Sequence, residues 1–211
     1  MTAVFLDLDG TLIDSRPGIL ASLTHAFGAV GRADLARRDL TWLIGPPFSE
    51  SFVKLGLDDP GPAIAAYREH YQADGMYLAE PYEGVGEAMD ALIASGARLY
   101  LATAKPIAYA MKITAHFGLA GRMRAEFGPG LDGTFNWKGD LLAYALAETG
   151  ERASDAVMVG DRHHDMAAAA EVGMAAIAVR WGYGTAEEWA GARVEIDRPG
   201  ELPGAVAALA R

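Results

Sequence analysis

Residues 1–15 read MTAVFLDLDGTLIDS, and the fold turns on how this stretch is read. Its apolar run, Ala3–Leu8, has the composition of a buried strand, yet it contains Asp7, and Asp9 follows two residues later. A carboxylate buried without a partner is costly; it takes up a proton or finds a cation. Residues two apart on a strand leave the same side, so the pair shares one face at the strand's end if strand geometry persists.

Working outward, three further apolar runs follow: ARLYLATA (97–104), DAVMVGD (155–161) and MAAIAVRW (174–181). Between and after them lie helical patterns, GVGEAMDALIASG (84–96), IAYAMKITAHFG (107–118), KGDLLAYALAETG (138–150) and HDMAAAAEVG (164–173). All four stop at glycine, a usual C-terminal signal. Strands alternating with helices predict βαβ units, hence an α/β fold with a Rossmann-like parallel sheet covered by helices on both faces. A further strand is expected near Met123–Phe127. The tract AAAA (167–170) is expected to be a small-residue helix face against the sheet.

One interval breaks the alternation. From Ser15 to Glu80 the text is helical without a convincing strand, as in PGILASLTHAFGAVG and PAIAAYREHYQADGMYL. This predicts an α-helical subdomain, residues 15–81, inserted into a core of residues 1–14 and 82–211. The proline-bearing segments Asp14–Pro17 and Ala79–Tyr82 would be its hinges.

The chain has 211 residues, 51% hydrophobic and 22% charged, ample material for a packed core. Its 18 basic and 28 acidic residues give a net charge of −10, which argues against nucleic acid as the main partner. A small anionic substrate remains compatible, because a local cation outweighs the global field. The absence of cysteine removes disulfides, thiolate metal sites and cysteine nucleophiles. Asp7 and Asp9 interrupt the N-terminal apolar run, against a signal peptide, and no stretch approaches the roughly 20 apolar residues of a spanning helix. The expectation is a cytoplasmic protein, monomeric or weakly dimeric, with no membrane partner.

In open α/β sheets ligands bind beyond the carboxyl ends of the strands. The first run ends in Asp7-Leu8-Asp9-Gly10-Thr11, the second in Thr103-Ala104-Lys105-Pro106, and the third in Gly160-Asp161-Arg162-His163-His164-Asp165. Lys138 opens the helix before the third run. Four carboxylates cannot share one crevice without a compensating cation. An all-oxygen donor set points to a hard ion, Mg²⁺ above all, since it takes a few carboxylates together with water and phosphate. Carboxylates, Mg²⁺, a lysine and a threonine together suit a phosphoryl group. One aspartate of the first pair can attack phosphorus and form an aspartyl-phosphate, while the other moves protons.

The stretch DLDGTLIDS resembles the first signature of the haloacid-dehalogenase-like hydrolases, which begins D-x-D-G-T. Thr103 after LYLA resembles their second motif, Lys138 their third, and GDRHHD their G-D-x-x-x-D fourth. The order and spacing match over nearly the whole chain, and the helical insertion is similar to the cap these enzymes carry. The resemblance implies Asp7 as nucleophile and Asp9 as acid/base, with Thr103, Ala104 and Lys138 around the phosphoryl oxygens. It implies Mg²⁺ held by the Asp7 carboxylate, the Asp9 backbone carbonyl and Asp161, with Asp165 acting through water or Lys138. An aspartate at position 9 favours phosphate esters over dehalogenation. DLDGTLIDSRPGI, WLIGPPFSESF, DGTFNWKGDLLAYAL and VMVGDRHHDM are similar to the phosphoglycolate-phosphatase-like and bacterial 5′-nucleotidase-like branch. Two departures stand out: Ala104 replaces the common asparagine or serine, and Lys138 lacks a following proline.

Other residues carry structural readings beside functional ones. Asp161 and Asp165 also suit a helix N-cap and first turn, and Thr103 a cap for the helix after Pro106. Adjacent His163 and His164 point in different directions and make a poor zinc pair; they are expected as loop residues at the crevice rim, and His25, His70 and His116 as helix residues. Trp42, Phe48 and Phe52 are expected in the core of the inserted subdomain. Arg16, Gly45 and Pro46 are candidate substrate contacts there, with a surface arginine and a plain turn as the alternatives. Trp181-Gly182-Tyr183-Gly184 is a loop without an assigned role. The expected reaction is Mg²⁺-dependent hydrolysis of a small phosphorylated metabolite, phosphoglycolate-like or a nucleoside monophosphate. Alternatives on the same scaffold are an inorganic pyrophosphatase or a sugar-phosphate mutase; from a different class, a phospho-accepting signalling domain.

Overall fold

The computed structural model describes residues 2–209. Two units divide the chain, one formed by the segments up to Asp14 and from Pro81 onward, the other by Ser15–Glu80.

The first unit is built on six parallel strands: β1 (Ala3–Leu6), β2 (Arg98–Ala102), β3 (Ala125–Phe127), β4 (Ala156–Gly160), β5 (Ala175–Val179) and β6 (Val194–Ile196). Their order across the sheet is β3-β2-β1-β4-β5-β6. The chain therefore moves outward from β1 in one direction, returns, and continues from β4 in the other. This makes β1/β4 the topological switch point, where open α/β sheets place their ligands. Every residue of β1 and β4 is buried, because central parallel strands are covered on both faces. The register sets Phe5 beside Tyr100 and Met158, and the rings of Phe5 and Tyr100 stack at 5.0 Å between centroids.

Alternate residues of each strand serve opposite faces. Ala3 and Phe5 of β1 join Met158, Leu141, Leu142, Met166, Ala168 and Ala169 in one core cluster. Leu141 and Leu142 belong to α6 (Lys138–Thr149), and Met166, Ala168 and Ala169 to α7 (His163–Glu171), so two alanines of the AAAA tract do pack on the sheet. Leu6 and Val159 face the other side, lining a small apolar cavity with Val85, Met89 and Leu202. That layer is α4 (Val85–Ala94) and α8 (Leu202–Leu209); α5 (Ile107–His116) precedes β3. The strand at Ala125–Phe127 agrees with the sequence expectation. Strand β6 and helix α8 lie beyond the last run singled out in the sequence. His116 ends α5, as expected, but His163 and His164 form the first turn of α7 rather than a loop.

The second unit holds α1 (Arg16–Ala29), α2 (Phe48–Lys54) and α3 (Gly61–Ala73), linked by short 3₁₀ turns and free of strands except Glu80 at its last residue. Its interior is aromatic: Phe27 and Phe52 meet at 5.2 Å, Phe48 stacks on Phe52, and Tyr67 stacks on Tyr71. Phe48 and Phe52 thus serve the core, but Trp42 does not: it stands 38% exposed on a 3₁₀ turn. His25 on α1 and His70 on α3 lie ring against ring, and His70 Nδ1 is 3.0 Å from the buried Ser22 hydroxyl.

Candidate active site

Asp7 follows directly on β1, and its N–H still donates to the Val159 carbonyl at 2.9 Å. The sheet's ladder therefore fixes the backbone under the first carboxylate. Asp161 occupies the equivalent place after β4, the neighbouring strand. The chain then turns at Gly10, whose φ of +80° lies in the left-handed region. A Cβ at Gly10 would also run into the Asp161 carboxylate, so the position needs glycine on both counts. Asp165 is the third residue of α7, and its Oδ2 accepts the Arg162 N–H at 3.0 Å in a capping box. The helix cap itself is Arg162, not Asp161.

These placements bring Asp7, Asp161 and Asp165 together, each offering a carboxylate oxygen within 4.8 Å of the others. All three are buried, Asp161 completely. Lys138, at the start of α6, donates to Asp7 Oδ1 at 2.7 Å and pairs with Asp165. One ammonium thus serves two of the three carboxylates. Asp161 Oδ2 accepts the Tyr183 N–H at 2.7 Å, but its Oδ1 is buried without a hydrogen-bond partner among the described residues.

The electrostatics follow. Burial, reinforced by Asp165 and Asp9 against the lowering pull of Lys138, raises the Asp7 carboxyl to about 6. Burial, then the charges of Asp165 and Asp7, push Asp161 well above the usual carboxylate range. Burial works against the Lys138 charge, but Asp165 and Asp7 overcome it and hold the ammonium strongly protonated. The cluster is starved of positive charge. A hard divalent cation suits it: the donors are all oxygen, they converge within 4.8 Å of one another, and one buried oxygen on Asp161 lacks a partner among the described residues.

Asp9 lies apart from this triad by its pairing. Its Oδ1 meets Lys105 Nζ at 2.9 Å, both side chains largely buried. Lys105 had no role in the sequence reading, where a lysine before proline looks like any solvated residue at a helix start. The only sequence hint is its place directly after an apolar run that also delivers Thr103. Thr103 is buried at the end of β2, and its hydroxyl accepts the Lys105 N–H at 3.2 Å. It therefore shapes the turn rather than capping α5. Ala104 is half-buried in the same turn. The buried Thr11 hydroxyl, in the loop after Asp9, also lacks a partner among the described residues.

Arg16, Gly45 and Pro46 belong to the second unit. Arg16 is exposed at the start of α1, Gly45 is exposed with a positive φ, and Pro46 is half-buried. His163 is exposed and its Nδ1 lies 3.0 Å from Glu188. Burial and the neighbouring His163 lower His164 to about 4, so it is neutral at neutral pH.

A parallel sheet with acidic residues at its switch point, an all-oxygen donor cluster and a buried lysine make a site suited to a hard cation and a phosphoryl group. The family model for haloacid dehalogenase-like hydrolases matches residues 4–179, and the chain belongs to that family. A 5′-nucleotidase from Pseudomonas aeruginosa is 37% identical over 190 residues, covering 88% of this chain and 85% of that protein. A protein named tyrosine-protein kinase PtkA from Mycobacterium tuberculosis is 40% identical over 186 residues; the match spans 87% of this chain and 64% of that protein. A crystal structure of a predicted phosphatase from Clostridium acetobutylicum superposes with a TM-score of 0.91 at 32% identity, covering 98% of both chains. With this family and these relatives, the chain is a hydrolase of the phosphatase type. No helix among the described residues is long and apolar enough to cross a membrane.

Proposed function

We propose that the protein is a Mg²⁺-dependent phosphatase of small phosphomonoesters, phosphoglycolate-like or nucleoside monophosphates, working through an aspartyl-phosphate on Asp7. The observation that carries this reading is the buried triad at the switch point, where among the described residues one lysine serves the carboxylates and one Asp161 oxygen has no partner. Asp7 and Asp161, with the Asp9 backbone carbonyl, would hold the cation, and Asp165 would support it through water or through Lys138. The bound cation supplies positive charge against the phosphoryl oxygens and the carboxylates. Asp7 Oδ attacks phosphorus, the ester oxygen leaves, and the phosphoryl group is then carried as a mixed anhydride on Asp7. Asp9, gripped by Lys105, gives a proton to the departing alkoxide and takes one from the water that cleaves the anhydride. Lys138 draws Asp7 into a fixed rotamer and, with Thr103 and Ala104, would receive the phosphoryl oxygens.

The test is a Mg²⁺ panel comparing phosphoglycolate, nucleoside 5′-monophosphates, a hexose phosphate and pyrophosphate by kcat/KM, with and without EDTA. Cation-dependent release of phosphate that vanishes in Asp7→Asn supports the reading. Turnover that survives either EDTA or Asp7→Asn contradicts it. A second reading, phosphoryl transfer to protein tyrosine, has support in the name of the mycobacterial relative. Incubation with ATP and a tyrosine peptide decides that one, since a phosphatase returns inorganic phosphate and leaves the peptide unmodified.

A further inference from the structure

The stretch WGYGTAEEW, residues 181–189, follows β5 and found no role in the sequence reading or in the reaction just described. Four of its polar contacts converge on one short segment, Asp161–His163. The Tyr183 N–H donates to Asp161 Oδ2 at 2.7 Å. The Trp189 indole N–H donates to the Asp161 carbonyl at 2.8 Å, with the ring itself 7% exposed. Glu188 Oε2 accepts Arg162 Nε at 2.7 Å and the His163 N–H at 3.2 Å. Close approach is built in as well, because a Cβ on Gly184 would collide with the Asp161 carbonyl oxygen. The far end of the stretch reaches the loop after Asp9: Trp181 Nε1 donates to the Thr11 carbonyl at 3.1 Å, and the Tyr183 hydroxyl to Asp14 at 2.8 Å.

These contacts are not generic loop packing. Two of them clamp the backbone carbonyl and one carboxylate oxygen of Asp161, two hold the residues that follow it, and the other Asp161 oxygen, Oδ1, stays buried without a partner among the described residues. A carboxylate with both oxygens satisfied by protein donors would gain little from a cation. One held by Oδ2 alone, with its main chain pinned, has its rotamer chosen in advance and one oxygen in reserve. Outer contacts of this kind orient metal ligands and set affinity.

We propose that residues 182–189 form a positioning strap that preorganises Asp161 for a divalent cation, with Trp189 and Glu188 as positioning residues and the Tyr183 N–H as the donor that selects the free oxygen. The proposal rests on the cation site of the proposed function. None of the three touches the reacting atoms. Their effect is felt in cation affinity, and the chemistry is intact once the site is filled.

Isothermal titration of Mg²⁺ into the cation-free full chain tests this, comparing wild type, Trp189→Phe and Glu188→Gln. Trp189→Phe keeps an aromatic ring and removes the N–H, and should weaken Mg²⁺ binding by about 10- to 100-fold. Glu188→Gln keeps the shape and loosens the grip on Arg162 and His163; at least about a threefold weakening is expected, since outer contacts to metal ligands tune affinity. Saturating Mg²⁺ should bring kcat of both variants back to within about twofold of wild type, a recovery that general damage to the fold would not give. Cation-free thermal unfolding shows whether Trp189→Phe folds; if it does not, Glu188→Gln decides. Affinities within twofold of wild type in the folded variants overturn the strap. A wild type that binds no divalent cation overturns the cation site itself, and the strap with it.

Discussion

Asp161→Asn separates the demands of folding from those of the reaction. In the cation-free protein, Asp161 Oδ1 is a buried acceptor with no donor among the described residues, on a carboxylate that clusters with those of Asp7 and Asp165. Asparagine is nearly isosteric. Its carbonyl oxygen takes over the 2.7 Å bond from the Tyr183 N–H, and its amide donors fall where Oδ1 stood. One unsatisfied buried acceptor is thereby exchanged for a donor in a cluster that holds two other carboxylates. Relief of a buried unsatisfied group is worth about 1–3 kcal/mol. For a chain of this length each kcal/mol moves the unfolding midpoint by about 2–4 °C, so the variant should melt about 2–12 °C above wild type in EDTA. With Mg²⁺ the order closes up or reverses, because wild type gains about 2.7 kcal/mol at a hundredfold excess over Kd, and the variant, short of a ligand charge, gains little. Thermal unfolding followed by circular dichroism at pH 7.5, with EDTA and with saturating Mg²⁺, reads both effects. An Asp161→Asn protein less stable than wild type in EDTA would refute the claim that this carboxylate is held at a cost to the fold.

Other outcomes follow from neighbouring contacts. Lys105→Met removes the ammonium 2.9 Å from Asp9; it should slow hydrolysis of alkyl phosphates by about 10²-fold and of p-nitrophenyl phosphate by much less, because only a poor leaving group needs the proton from Asp9. Equal losses on both substrates would remove Lys105 from that step. Far from the site, the Arg98 guanidinium donates to Glu151 at 2.5 Å through two nitrogens and holds its carboxyl below the ordinary value of 4.5. A lowered folded-state value makes the stabilisation complete above that ordinary value and lost as pH falls through the folded one. Wild type should therefore exceed Glu151→Gln by about 1–3 kcal/mol at pH 7, a charged hydrogen bond's worth, with the gap closing as the pH falls below the ordinary 4.5. Urea titrations at the two pH values measure it; a gap that widens in acid contradicts the assignment.

The sequence carried the central sheet because its strands are interior: an unbroken apolar run such as DAVMVGD cannot be mistaken when every residue of the strand is buried. It did not carry β6, three residues of V-E-I at the sheet edge with one exposed, which has too few apolar positions to stand out. The site followed the same division. Asp7, Asp161 and Asp165 were visible as acids where an apolar run should end or turn. Lys105 was invisible, since its partner Asp9 lies 96 positions away and only the adjacency of β1 and β2 joins them. The strap was invisible for a related reason. Its donors are a main-chain N–H and an indole, groups that carry no motif of their own, and their meaning comes from meeting Asp161 across β4 and β5. Trp42 misled in the other direction, because an aromatic in a helical region reads as core until its exposure is seen.

The central claim is that the phosphoryl group passes through the Asp7 carboxylate. Asp9→Asn removes the group that activates water, so the intermediate should persist long enough to be caught. Mixing this variant with Mg²⁺ and a turned-over phosphomonoester, quenching in acid, and mapping peptides by mass spectrometry should reveal one phosphoryl group, on Asp7, absent from an Asp7→Asn/Asp9→Asn control. A phosphoryl group on any other residue, or none while phosphate is still released, would contradict the account.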